Sequence, residues 1–173
     1  MNMRKTIINL LVIVALLAIL IFAWWRSPYH QVRTITTSVM IYAPTERVWR
    51  VLTDFNSYPQ WNPFIKQASG EPRQGARLDI TLQNGNSTMH FRPRVLQATG
   101  RELRWIGHFV VPGLFDGEHR FLLEPDGPNN TRLTQSETFD GILVVPLWKR
   151  IAPGTSEGFR KMNQALKDRA EAR

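Results

Sequence analysis

Two residues in this chain have types and a spacing that could support acid–base chemistry: His119 and Glu137. Each falls on the apolar phase of an alternating run. Asp116 to Glu124 places His119, Phe121 and Leu123 on one face, and Thr131 to Phe139 places Leu133, Gln135, Glu137 and Phe139 on one face. Between the runs lies Pro125-Asp126-Gly127-Pro128-Asn129-Asn130, a turn composition. Pairing Glu124 with Arg132 across that turn sets His119 directly opposite Glu137, in side-chain contact range. A slip of one residue would put the two on opposite faces. A carboxyl beside an imidazole can act as a general acid or base, or hold the polar group of a ligand. It can equally be a buried pair that satisfies itself, or a pair at the wet end of a sheet.

Other chemistries find little support. The chain has no cysteine, which removes disulfides, thiolate metal sites and a cysteine nucleophile. A metal site needs a third ligand beside His119 and Glu137, and none has plausible spacing, so neither a metal nor an organic cofactor is expected. His90 and His108 lie on the polar phase of their runs and read as solvated. Glu46 and Asp54 read as helix-end residues. There is no phosphate-binding glycine loop, Gly-x-Ser-x-Gly elbow or His-Glu-x-x-His motif.

The elements that must position the pair begin after an apolar segment. Ile7 to Trp25 is uncharged over 19 residues, with Asn9 its one clearly polar side chain. As a helix it would reach about 28 Å, close to the apolar thickness of a bilayer. Trp24 and Trp25 would stand at the interface, and Arg26 closes the span. A cleaved leader would have a shorter apolar stretch, about 7–15 residues, and a small-x-small cleavage site. Ala23-Trp24-Trp25 fits that poorly, so the segment reads as a single-pass membrane anchor, residues 7–25 making the contact. Arg4, Lys5 and the terminal amine outnumber Arg26 and Arg33, which leans the following domain toward the extracytoplasmic side. Residues 1–26 are therefore read as the anchor, 27–31 as a linker and 32–173 as one soluble domain.

Val32 to Ile41 alternates as a strand. Ala43-Pro44-Thr45-Glu46 opens a helix with Val48, Trp49, Val51 and Leu52 on its apolar face. Tyr58-Pro59 and Trp61-Asn62-Pro63 permit only a short second helix or turn. Strands follow over Ala76–Gln83, Ser87–Leu96, Glu102–Val111, Asp116–Glu124 and Thr131–Phe139, with Asn84-Gly85-Asn86 a hairpin signal. Each has one apolar and one polar face, as in an antiparallel sheet covered on one side. Gly158 to Arg173 is an amphipathic helix carrying Phe159, Met162 and Leu166. Ile142 to Ile151 is either a separate short helix or the first part of a long one kinked at Pro153-Gly154.

Taken together, Ala43-Pro44 leading to Val48-Trp49, Tyr58-Pro59-x-Trp61-Asn62-Pro63, Gly117-Glu118-His119-Arg120-Phe121, Glu137-Thr138-Phe139-Asp140-Gly141 and Met162-Asn163-x-Ala165-Leu166 resemble the START-like SRPBCC superfamily of polyketide cyclases, lipid-transport domains and relatives. The resemblance covers about Val32 to Glu171. It implies an α+β helix-grip fold, in which a curved antiparallel sheet wraps the C-terminal helix and a cavity between them takes hydrophobic ligands. The superfamily contains enzymes, carriers and sensors, and a fold does not choose among them.

The alternation puts Ile80, Leu82, Met89, Phe91, Leu103, Trp105, Phe109, His119, Phe121, Leu133 and Glu137 on the concave face, with Phe159, Met162 and Leu166 facing them. These either line a ligand cavity or simply fill the core. The outer face collects Arg77, Arg92, Arg94, Arg104, Arg120 and Arg132. Net charge is +8, but the arginines are scattered and no nucleic-acid-binding motif is present, so no nucleic-acid partner is expected. The arginine face is either a soluble basic surface or one apposed to anionic lipid. The sequence favours a membrane-tethered binding protein for a lipid or other hydrophobic small molecule. A cyclase or aromatase using His119 and Glu137, and an assembly factor for an unidentified protein partner, are the alternatives.

Overall fold

A computed structural model describes residues 3–25, 31–84 and 87–172. The chain divides into two compact units, Met1–Gln31 and Val32–Arg173. The first holds one helix, α1 (Met3–Trp25). Its segment Lys5–Ala23 is long and apolar enough to cross a membrane, by length and composition. Arg26 and most of the expected linker lie outside the described residues.

Among its described residues the second unit contains eight strands, three α-helices and one 3-10 turn, in the order β1 (Arg33–Ile41), α2 (Thr45–Thr53), the 3-10 turn (Phe55–Ser57), α3 (Tyr58–Trp61), β2 (Ile65–Ser69), β3 (Asp79–Asn84), β4 (Ser87–Phe91), β5 (Arg94–Ala98), β6 (Glu102–His108), β7 (Asp116–Pro125), β8 (Thr131–Asp140) and α4 (Val144–Glu171). Five strands form an antiparallel sheet ordered β1-β8-β7-β6-β5, and three form a second ordered β2-β3-β4. Leu78 N donates to Pro93 O (2.9 Å) and Val95 N to Ala76 O (2.8 Å), so the sheets continue into one curved surface. The long helix α4 buries Phe159, Met162, Leu166 and Ala170 against it. This is the helix-grip architecture, α+β, that the sequence resemblance implies.

Local chemistry explains the turns of the path. Pro44 caps α2 in an extended conformation, with φ −59° and ψ 146°. Asn62 Oδ1 accepts from Phe64 N (3.0 Å) and Ile65 N (2.9 Å), ending the α3 turn and starting β2. Trp61 Nε1 donates to Ser57 Oγ (3.0 Å), and Tyr58 Oη donates to Leu52 O (2.5 Å). The Tyr-Pro-x-Trp-Asn-Pro stretch is thus a structural joint.

Two expectations are corrected and one strand is new. The run Ser87–Leu96 is two strands, β4 and β5, because Pro93 cannot continue the ladder and the chain there passes from one sheet to the other. The run Glu102–Val111 ends at His108, and 109–115 form a loop. Strand β2 has no counterpart in the sequence reading. Of the two forms left open for Ile142–Ile151, the single long helix is the one present, with Pro153 inside it.

Candidate functional site

The register of β7 and β8 pairs Glu124 with Arg132 and His119 with Glu137. His119 Nδ1 stands 3.6 Å from Glu137 Oε2, beyond hydrogen-bond length. On its other side, His119 Nε2 lies 2.9 Å from Gln135 Nε2. An amide nitrogen can only donate, so in this orientation of the Gln135 amide the imidazole proton sits on Nδ1, facing the carboxyl. Gln135 Nε2 also lies 3.7 Å from Met162 Sδ. Gln135 Oε1 is buried without a hydrogen-bond partner among the described residues.

Rings enclose the imidazole. Phe121 stacks on it at 4.6 Å between ring centres, with Phe159 at 4.9 Å and Trp105 at 5.0 Å. In this apolar box burial lowers the His119 pKa to about 3. Burial likewise raises Glu137 to about 8. At neutral pH the pair is therefore an uncharged imidazole beside an uncharged carboxylic acid. Such a carboxyl can donate a hydrogen bond, and gives up its proton only in mildly basic solution. Its side chain keeps 19 % of its accessible surface, whereas that of His119 keeps 6 %. Glu137 is thus the more accessible of the two to a ligand. Gly117 makes room for it: a Cβ at that position would lie 2.6 Å from Glu137 Oε1.

The carboxyl opens into a cavity of about 70 Å³ between the sheet and the first half of α4. That is room for about five water molecules. Of the expected binding residues, Ile80, Leu82, Met89, Phe91, Trp105, Phe109, His119 and Glu137 line it. Leu103, Phe121, Leu133, Phe159, Met162 and Leu166 do not: they are fully buried and fill the core beneath. Residues not anticipated complete the walls, among them Phe64 and Ile65 before and in β2, Phe115 from the loop, Phe139 from β8, and Ile151 and Thr155 from α4. Phe139 and Gln135 share the alternation phase of Glu137, so the signal that found one could have found all three. His108 is exposed, as its polar phase predicts; it also borders the cavity, and its Nδ1 pairs with Asp116 Oδ1 at 2.8 Å. His90 is exposed and meets Thr81 Oγ1 at 3.0 Å.

The arginine face is partly neutralised. Arg120 pairs with Glu102 (2.9 Å), Arg104 with Glu118 (3.2 Å) and Arg92 with Asp79 (3.5 Å). Among the described residues no cluster of three or more His, Asp or Glu side chains could hold a metal ion.

Residues 32–171 match the family model described as polyketide cyclase / dehydrase and lipid transport. Solved structures share the fold. The Zhui aromatase/cyclase from Streptomyces sp. R1128 aligns with a TM-score of 0.67 at 14 % identity, covering 82 % of this chain and 94 % of that one. A START superfamily protein from Mycobacterium smegmatis aligns at 0.62 and 26 % identity, covering 80 % and 97 %. A Thalictrum norcoclaurine synthase mutant in complex with a transition-state analogue aligns at 0.61 and 12 %, covering 82 % and 95 %. No curated protein sequence matches the chain.

Proposed function

This chain belongs to the polyketide cyclase / dehydrase and lipid transport family, and on that premise we propose that it is a membrane-tethered binding protein for a hydrophobic small molecule or lipid. Residues 1–26 serve as the anchor and 27–31 as the linker, with the domain from Val32 leaning to the extracytoplasmic side. The observation that carries the reading is the cavity itself: apolar walls converge on one half-buried carboxyl, that of Glu137, whose pKa desolvation raises to about 8. Sites for small molecules have this composition, apolar with a few placed polar groups. The ligand is accordingly an apolar molecule with a hydrogen-bond acceptor, such as a carbonyl oxygen, at the end that reaches Glu137.

Native mass spectrometry of residues 32–173 tests this. A reproducible added mass that extracts into organic solvent supports the reading. A bare mass, together with no uptake of the apolar dye N-phenyl-1-naphthylamine, refutes it.

A second reading draws on the opposite displacement of the two pKa values. A carboxylic acid near 8 beside a neutral imidazole suits proton transfer to and from a carbonyl substrate. Here Glu137 is the acid and His119 its positioning partner, as ring closure of a polyketide would require. Under this reading Glu137→Gln abolishes turnover while apolar binding persists. Under the binding reading Glu137→Gln weakens binding and there is no turnover to lose.

A further inference from the structure

Outside α1, the large hydrophobic side chains exposed among the described residues are Val32, Tyr42, Phe109, Val110, Val111 and Ile142. Tyr42 sits at the C-terminal end of β1, where Lys167 Nζ lies 4.2 Å from its ring centre. The other five share the opposite end of the sheet. The strand registers require this: Arg33 pairs with Phe139, Asp140 with Asp116, and Asp116 with His108. Ile142 N donates to Gly113 O (3.2 Å) and Leu143 N to Leu114 O (3.0 Å), which fastens the 109–115 loop to the start of α4.

That loop reads Phe-Val-Val-Pro-Gly-Leu-Phe, without a polar side chain. At its tip Val110 is 78 % exposed and has φ 66°. A β-branched residue in the left-handed region is held there against its own preference. The fold therefore maintains, rather than hides, an apolar tip. The same end carries the cavity mouth, since His108 and Phe109 are the exposed members of the cavity wall. It is also where the chain arrives from α1. Residues 26–32 separate Trp25 from Arg33, and fully extended they span at most about 25 Å. Lys149 and Arg150 are exposed on the first half of α4, suited to anionic headgroups.

We propose that Val32, Phe109–Val111 and Ile142 insert into the surface layer of the bilayer that α1 crosses, so that the cavity mouth opens onto lipid. This rests on the reading of α1 as a membrane anchor. The occupant is a bilayer because only residues 26–32 separate this end of the sheet, in sequence, from the segment read as crossing one. The patch also offers apolar side chains with flanking cations, which is what an interfacial segment presents.

The absence of cysteine makes the test direct. Val110→Cys, and Asn129→Cys in the turn at the far end of the sheet, each create a unique site for the fluorophore NBD in the full chain. The labelled proteins are reconstituted into vesicles of phosphatidylcholine and phosphatidylglycerol containing doxyl-labelled lipid. Carbonate extraction scores the anchor separately. The expected result is a chain that resists extraction, with label 110 blue-shifted and quenched at least threefold more than label 129. A chain that stays embedded while label 110 remains as aqueous as label 129 overturns the docking but leaves the anchor standing, and points to a protein partner or a free surface. Equal quenching of both labels also overturns it. A chain removed by carbonate overturns the anchor and the docking together.

Discussion

His119 Nδ1 and Glu137 Oε2 face each other across neighbouring strands at 3.6 Å, close enough to interact and too far for a direct hydrogen bond. Neither group therefore compensates the other for leaving water, and burial drives both to their neutral forms. The consequences can be measured.

Stability should peak in mildly acidic solution. The folded-state pKa of Glu137 is about 8, against an ordinary value of 4.5. The folded protein thus holds a proton that the unfolded chain releases, and stability declines as pH rises from 4.5 to 8. His119, lowered from 6.5 to about 3, acts in the other direction: stability declines as pH falls from 6.5 to 3. Between 4.5 and 6.5 the two slopes oppose each other. Urea denaturation of Glu137→Gln should show the variant gaining about 2–4 kcal/mol relative to the parent at pH 9, and little at pH 5. Parallel pH profiles for the two proteins would contradict the burial of this carboxyl.

Affinity for an acceptor-bearing ligand should fall across the same titration. Below pH 8 the Glu137 carboxyl donates a hydrogen bond; above it the carboxylate repels an acceptor. Titrations at pH 6 and 9 should differ about tenfold or more, as loss of a hydrogen bond to a buried polar group implies, and Glu137→Gln should remove the dependence.

Gly117→Ala should impair the site without unfolding the protein. The added methyl meets the far end of a flexible side chain, Glu137 Oε1 at 2.6 Å, and the carboxyl swings aside. The denaturation midpoint should move by an equivalent of about 1 kcal/mol or less, the scale of a rotamer shift, while ligand affinity drops. Equal loss of both would show that Gly117 serves the backbone.

Gly158→Ala should destabilise, although alanine is the better helix former by about 1 kcal/mol. A Cβ at 158 would collide with Phe64 Cδ2, so the ring that walls the cavity must give way. A double-mutant cycle with Phe64→Leu should recover part of the loss, on the order of 1 kcal/mol. Additive effects would mean that the two residues do not press on each other.

Much of this site was legible before any coordinates. The facing of His119 and Glu137 follows from two alternating runs and one turn: the period of two puts both apolar phases on one face, and pairing Glu124 with Arg132 across the turn picks the register among those that do so. Strand β2 was not legible. It buries only Ile65 and Ala68, and its register shifts between Ile65 and Gln67, so no alternation survives in five residues. The division of the concave face was not legible either. Phe159 and Ile151 lie on one helix, yet one is core and the other cavity wall, and only the approach of Phe64, Phe115 and the loop decides which. Pro93 carried a signal that the longer alternation around it masked. Prolines inside apparent strands should be read as breaks first.

The size of the cavity bears on how fast the protein can work. About 70 Å³ is far less than a whole lipid or polyketide occupies, so admitting one entirely would require the walls to part. One wall is the first half of α4, whose hydrogen-bond ladder is interrupted. There Pro153 has no N–H to give the carbonyl of Lys149, and Ile151 and Thr155 flank the gap in the ladder. If such a ligand is taken up by opening of that helix, the observed rate should level off at high ligand concentration, at the opening rate, instead of climbing with every collision.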